Sequence, residues 1–520
     1  MDRKLGQAFY GVGDYEQAVA CSARALSHLG VRYPKTRWGV RGSIVRYLAA
    51  HFLRRLMPAH RNLPFARTMD LATAQEISAT CRSLAWLDYF ADEERFVLDS
   101  LIELDAGERS GDVLARVRGL GLLAVVLSMF RALALAHRRA GEATAIAQSS
   151  NDAALISHAA LAQGWIDFAT APVDKCKASL EQSASAFRSI GDIRGWAGAT
   201  VYLYWVHYWL ANLAVVTRTA AEMVEIGEGA GDPHVVCWGY NGLGAASAAM
   251  GSLEEAMEHF SRARDLSIQI TSYRFQAGIE GQLGKCRIRQ GRLSEAAAFL
   301  EESVRLIQGK HLRGMWSSDT LNGLVGLWLA RAARLPGTER RGALREARRW
   351  CRRALRCTRH AVGWLAETQR LRGTLAWLCG EPVTAKAHWK SSLATAEGAG
   401  MPLERARTLL EMGAWLGDAG LAEEARHVFE QTGAKVDLAL CLHVLARAAA
   451  AVGTDADSAL RRYGQAIAAL DAVNAEYNLG LACQERARLL TKLGSHDRAH
   501  ADLARASQCF ATVGADAEKI

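Results

Sequence analysis

Small and apolar residues recur along this chain in one fixed phrase. A glycine is followed two residues later by a leucine or similar residue, and five residues later by an alanine. The phrase reads GDYEQA at Gly13–Ala18, GSLEEA at Gly251–Ala256, GRLSEA at Gly291–Ala296 and GALREA at Gly342–Ala347. It returns as GEPVTA at Gly380–Ala385, GLAEEA at Gly420–Ala425 and GSHDRA at Gly494–Ala499. Twelve residues before the alanine, five copies carry another glycine: Gly6, Gly244, Gly284, Gly373 and Gly413. Four residues after it, most carry a large apolar side chain: Phe260, Leu300, Trp389, Phe429 or Leu503.

This pattern predicts a helical hairpin. The first glycine lets two helices approach, because it has no Cβ. The second ends the first helix, where a left-handed residue is needed. The alanine packs near the start of the second helix, and the large residue one turn later fills the groove between hairpins. Charged residues take the remaining face. One hairpin cannot hide its own apolar stripe, so neighbours must stack. The predicted fold is all-α, an α-solenoid of about eleven or twelve stacked hairpins. A first, apparently truncated hairpin occupies 1–30, since its first helix would run only from about Asp2 to Gly11. A basic amphipathic helix is inserted at 31–65. Degenerate hairpins fill 66–230, where Gln163–Gly164–Trp165 with Leu180 keeps fragments of the pattern. Clear hairpins follow at 231–310, an Arg-rich one at 311–360, and C-terminal ones at 361–520.

Leu243–Gly244, Gly251, Ala256, Phe260 and Ala263, with Tyr240 leading, resemble the tetratricopeptide (TPR) signature. Its usual period is about 34 residues. Here the alanines step by 40 from Ala256 to Ala296 and from Ala385 to Ala425, which implies longer helices or loops. The segments LGVRYPKTRWGVRGSIVRYLAAHFLRRLMP (Leu29–Pro58) and SLAWLDYFADEERFVLDSLIELDAGE (Ser83–Glu108) are similar to the C-terminal TPR region of large bacterial multidomain regulators. Those carry a class III adenylate/guanylate cyclase or kinase domain and a STAND-type P-loop ATPase. The resemblance implies that this chain is the sensor or scaffold arm, without the catalytic part.

Composition agrees with a helical protein. Of 520 residues 50% are hydrophobic, 8% aromatic and only 8 are proline. That excludes disordered and collagen-like classes. The 11 cysteines are scattered with no C-x-x-C pair, no N-x-[ST] sequon occurs, and the N-terminus lacks a signal-peptide core, so a cytoplasmic location is expected. Gly195–Thr217 carries no charge over 23 residues, but its tyrosines and tryptophans sit centrally. It reads as a buried helix running into a turn, not a bilayer span.

Catalytic motifs fail one by one. Gly284–Lys285–Cys286 is the nearest approach to a P-loop, but position 279 is isoleucine and cysteine follows the lysine. His496 and His500, at i and i+4, lack an acidic or thiol partner nearby in sequence. No catalytic residue, metal ligand or cofactor is expected, and the chain does not read as an enzyme.

Net charge of +9 is unevenly distributed. Residues 32–67 hold nine Lys or Arg and no acid, and Arg331–Arg359 hold 11 arginines against 2 glutamates. In the first patch Ile44, Val45, Leu48, Phe52 and Leu56 line one helix face. In the second, Arg341, Arg345, Arg348, Arg352 and Arg356 recur at steps of three or four and share one side of a helix. Three readings stand: a solvated or salt-bridged face, docking of an acidic protein or an NTPase or cyclase module, and nucleic acid or anionic lipid. A protein partner or peptide segment is the expectation, and nucleic acid and an anionic membrane surface rank behind it. Tyr202, Trp205 and Trp209, at i, i+3 and i+7, are either core or a partner-binding groove. The sequence therefore reads as a TPR protein-interaction scaffold, the regulatory arm of a bacterial signalling system. One alternative is the C-terminal fragment of a nucleotide cyclase or ATPase-type enzyme. Another is part of a large ATP-dependent transcriptional regulator, although Ala511–Ile520 shows no helix-turn-helix.

Overall fold

Phe260 lies across Gly244, and this contact explains the hairpin. A Cβ on Gly244 would stand 2.6 Å from the Phe260 ring, so only glycine lets the two helices meet here. Gly251 then reverses the chain with φ +85°, left-handed backbone that L side chains rarely adopt. The same arrangement recurs at Gly284 against Leu300, and at Gly373 against the Trp389 ring.

The computed structural model describes residues 1–56, 68–170, 173–312, 315–452 and 455–515. Among these the chain forms 25 α-helices and no strand. The first are α1 (Asp2–Val12), α2 (Tyr15–His28), α3 (Arg37–Leu56), α4 (Leu71–Ala91), α5 (Glu93–Ser110), α6 (Val113–Met129) and α7 (Leu133–Ser150). Next come α8 (Ala153–Thr170), α9 (Val173–Ser189), α10 (Ile193–Trp209), α11 (Leu213–Ala230), α12 (Pro233–Met250) and α13 (Leu253–Gln269). Then follow α14 (Tyr273–Gln290), α15 (Leu293–Gly309), α16 (Ser318–Arg334), α17 (Gly337–Thr358), α18 (Val362–Leu378) and α19 (Pro382–Gly398). The last are α20 (Pro402–Leu416), α21 (Ala419–Thr432), α22 (Lys435–Val452), α23 (Ala456–Ala472), α24 (Glu476–Lys492) and α25 (His496–Thr512). Apart from α3, they pair as antiparallel hairpins that stack on their neighbours in chain order. The fold is an α-solenoid.

The phrase alanines Ala18, Ala256, Ala296, Ala347, Ala385, Ala425 and Ala499 are all buried. Gly13, Gly251, Gly291, Gly380 and Gly494 have positive φ at the turns. Two phrase glycines depart from the expectation. Gly342 lies inside α17, and the turn before that helix belongs to Pro336–Gly337. Gly420 lies inside α21, and Gly417 (φ +70°) makes the turn instead. Leu503 is a further correction: it is 43% exposed, while Phe510 fills the groove against Gly480. On α3, Ile44 and Leu48 pack on the core, but Val45, Phe52 and Leu56 are exposed. The rest of that basic segment, 57–67, lies outside the described residues, as does 516–520 of the C-terminal tail.

The superhelix is tightly wound. Helix n meets helix n+10 repeatedly: α4 touches α14, α8 touches α18, and α10 touches α20. A Cβ on Gly251, at the end of α12, would stand 2.7 Å from the Val436 nitrogen at the start of α22. Gly291, ending α14, abuts Tyr477 at the start of α24 in the same way. Ten helices, or five hairpins, thus complete one turn, and successive turns press on each other. Ion pairs bridge the turns at Glu93–Arg274 (2.9 Å) and Arg289–Asp437 (2.9 Å). Inside runs an aromatic core in which Phe168 stacks on Trp209 (centroids 4.7 Å apart) and Trp209 meets Trp364 edge-on (5.3 Å). No helix among the described residues is long and apolar enough to cross a membrane. Gly195–Thr217 covers nearly all of α10, a turn, and the start of α11.

Candidate functional site

Asp192 starts α10 by accepting a hydrogen bond from the Gly195 amide at 2.9 Å, and the helix then runs through the aromatic core. Tyr202, Trp205 and Trp209 are buried on it. They face different spaces. Trp205 and Trp209 line a cavity of about 490 Å³, and Tyr202 lines a second of about 530 Å³. The aromatic stripe is core, and it also partitions the interior of the superhelix.

The first cavity is walled by first helices of successive hairpins. Its lining carries Lys285, Arg289, Arg370, Arg407 and Arg447, matched by Asp319, Glu367, Glu404, Glu411 and Asp437. Lys285 reaches Asp319 at 3.1 Å and Glu367 at 2.9 Å. Arg370 binds Glu404 at 2.7 Å, and Arg407 binds Asp437 at 3.0 Å. Asp319 also accepts the Trp364 indole N–H at 3.1 Å, and Glu367 accepts from Asn322 at 3.0 Å. Burial opposes the charge on Lys285, but Glu367 and Asp319 overcome it and raise its pKa. Burial likewise opposes the Asp437 carboxylate, yet Arg289 and Arg407 hold its pKa below the usual range. Burial keeps Glu404 above its ordinary value despite Arg370. Lys285 and Asp437 therefore keep their charges because opposite ones stand beside them.

Sequence reading missed these residues. Lys285 appeared only as a failed P-loop lysine. A usable signal was present: Glu367 and Arg370 are followed 37 residues later by Glu404 and Arg407. That is a charged i, i+3 pair repeated on helices that otherwise face inward.

The two basic patches part company. On α3, Arg41 pairs with Glu94 (2.8 Å), Arg54 with Asp105 (2.7 Å), and Arg55 with Glu142 (2.6 Å). Carboxylates of α5 and Glu142 of α7 thus neutralise these three arginines. On α17, Arg341, Arg345, Arg348, Arg352 and Arg356 are all exposed. Arg348 reaches Glu381 at 3.4 Å. Arg341, Arg345, Arg352 and Arg356 have no carboxylate within salt-bridge range among the described residues. His496 and His500 are both exposed on α25. Among the described residues, no group of three or more His, Cys, Asp or Glu is placed to hold a metal ion.

No protein-family model matches the chain, and no curated protein matches it. Solved structures are similar at low identity. A Rap protein complexed with competence and sporulation factor is 11% identical, with 70% of this chain and 99% of that chain covered and a TM-score of 0.47. A STAND protein with a tetratricopeptide repeat sensor, from Pyrococcus horikoshii, is 14% identical over 66% of this chain, TM-score 0.40; this chain spans about half of it, 54%. The Rap conjugation gene regulator of plasmid pLS20, in complex with the Phr* peptide, is 13% identical over 87% of this chain and 99% of that one, TM-score 0.31.

Proposed function

We propose that this chain is a non-catalytic, protein-interaction scaffold whose charge-balanced cavity receives an extended segment of a partner protein. The observation that carries this is the lining itself: five cations and five carboxylates on the inward faces of stacked first helices. Paired charges ask for no net charge in the ligand. They offer donors and acceptors in alternation, which is what a peptide backbone presents. Asn322 and Asn478 add amides, and Trp205, Trp209 and Trp364 give an apolar floor for an anchoring side chain. On this reading the chain is the regulatory arm of a cytoplasmic bacterial signalling system, and occupancy of the cavity biases an attached or separate NTPase or cyclase module.

Gly326 makes the test clean. It lines this cavity, and a Cβ there has 3.9 Å of clearance. Gly326→Phe sends a ring toward that space from a position whose Cβ meets no close neighbour. Cross-linking with mass spectrometry in the native host should map a partner segment to the cavity of the wild-type chain and lose it in Gly326→Phe. Capture of the same segment at the same site by the filled variant sinks the proposal.

A second surface has its own observation. Arg341, Arg345 and Arg352 stand exposed without carboxylate partners, which favours an acidic protein surface docking on α17. Charge reversal at Arg345 and Arg352 should then abolish one partner and spare the one held in the cavity.

A further inference from the structure

The second cavity differs from the first in charge. Its walls carry Arg131, Arg274, Arg353, Arg356 and His360, and no carboxylate among the described residues. Arg274 has an acid behind it, Glu93 at 2.9 Å. Arg131 gives one N–H to the Arg356 carbonyl at 3.2 Å, which closes α17 onto the end of α6. Arg353 and Arg356 have no carboxylate in salt-bridge range among the described residues. Arg274 is only 2% exposed, yet its Nε is buried with no hydrogen-bond partner. Its guanidinium lies over the Tyr89 ring, 4.6 Å from the centroid, so Arg274 contributes positive charge to the wall and not a free donor.

The remaining walls are mostly apolar, with Ser128, Gln308 and Ser317 among them. Tyr202, Trp316 and Trp350 present rings to the space, and Arg353 already lies over Trp350, 5.0 Å from its centroid. Guanidinium groups bind phosphate oxygens in bidentate fashion, and they stack on aromatic planes. A clustered set of them raises the local concentration of multiply charged anions. Rings of this kind stack on nucleobases with little preference among them. About 530 Å³ is within the range of small-ligand sites.

We infer that this cavity is a binding site for a nucleoside polyphosphate, with the phosphates on the arginines and the base among the rings. The site is independent of the partner-segment cavity on the other side of α10. It needs no metal and no P-loop, because side chains supply the contacts. A single carboxylate or inorganic phosphate would leave most of the arginine donors unmet.

Isothermal titration calorimetry on the full chain tests this, with the four ribonucleoside triphosphates, their diphosphates and monophosphates, adenosine and inorganic phosphate at about 50 mM salt. At least one triphosphate should bind. The corresponding diphosphate and monophosphate should each be about tenfold weaker than the one before. Adenosine and inorganic phosphate should be silent alone. Arg353→Ala combined with Arg356→Ala should weaken binding at least about tenfold, since both side chains are exposed and carry no internal ion pair. Arg341→Ala with Arg345→Ala, on the outer part of the same helix, should leave it unchanged. The inference is overturned if no triphosphate binds at about 1 mM. It is equally overturned if the Arg353/Arg356 variant binds as well as wild type, or if phosphate alone matches the triphosphate.

Discussion

The Tyr33 hydroxyl stands 2.9 Å from a carboxylate oxygen of Asp99, a residue on α5 distant in sequence. The same hydroxyl is 3.2 Å from Asp88, which also accepts from Tyr15 at 2.7 Å. Together these four residues pin the first hairpin and the loop after it to α4 and α5. Tyr33 has one proton to donate, so a proton on one carboxyl must supply the remaining bond. Burial pushes the Asp88 pKa up to about 6, although Asp99, Tyr15 and Arg95 oppose it, and burial with the Asp88 charge raises Asp99 further.

A pH dependence follows. Below about pH 4 an aspartate is protonated in both the folded and the unfolded chain. Between the ordinary value of 3.8 and about 6 the folded chain keeps a proton that the unfolded chain has released, so stability falls as pH rises. Above about 6 the Asp88 carboxyl ionises in the folded chain too, and its own share of the loss levels off. The span corresponds to roughly 3 kcal/mol. Urea melts at about pH 4.5 and 7.5 should therefore show Asp88→Asn gaining on wild type as pH rises. A constant difference between the two proteins at both pH values would refute the shared proton.

Glycines of this array divide by the space around them. Gly244→Ala drives a methyl into Phe260 and should cost about 1–3 kcal/mol through overpacking. Gly326→Ala meets nothing nearer than 3.9 Å within α16 and should stabilise by about 0.5–1 kcal/mol through helix propensity. Thermal melts of the two variants should move in opposite directions.

Asp437 is the acid on which two turns of the superhelix converge, through Arg289 and Arg407. Asp437→Asn removes the buried carboxylate itself, leaving the half-buried Arg289 without a counter-charge and Arg407 with only Glu404, 3.9 Å away. It should cost about 3–5 kcal/mol. Hydrogen exchange should rise first where α14 meets α22, and an unchanged pattern there would count against the bridging role.

Charge reversal of Arg345, Arg348 and Arg352 should change stability by less than about 0.5 kcal/mol per site, since all three are exposed. Circular dichroism melts that coincide with wild type would show that any lost partner reflects the surface and not the fold.

The hairpin was legible because its causes are local. Gly244, Gly251, Ala256 and Phe260 lie within one hairpin, and each answers a demand of helix termination or close approach. Gly342 and Gly420 mimic the spacing without meeting the same demand: the chain turns at Gly337 and Gly417, and each phrase glycine sits inside the following helix. The aromatic stripe was legible as a stripe, but sequence left core and site as alternatives. In the folded chain Tyr202 and Trp205 are core residues that wall separate cavities.

By itself the sequence determined the repeat unit, its all-α character and its need to stack, because these depend on residues a few positions apart. Tertiary structure decided which charges meet. The pairing of Arg289 with Asp437, and of Lys285 with Glu367, depends on how the superhelix winds. That winding is the accumulated rotation of many small hairpin-to-hairpin steps. It also decided that Arg41, Arg54 and Arg55 of α3 find acids on α5 and α7 while most arginines along α17 find none. Local periodicity carries no record of which helix lies ten helices away.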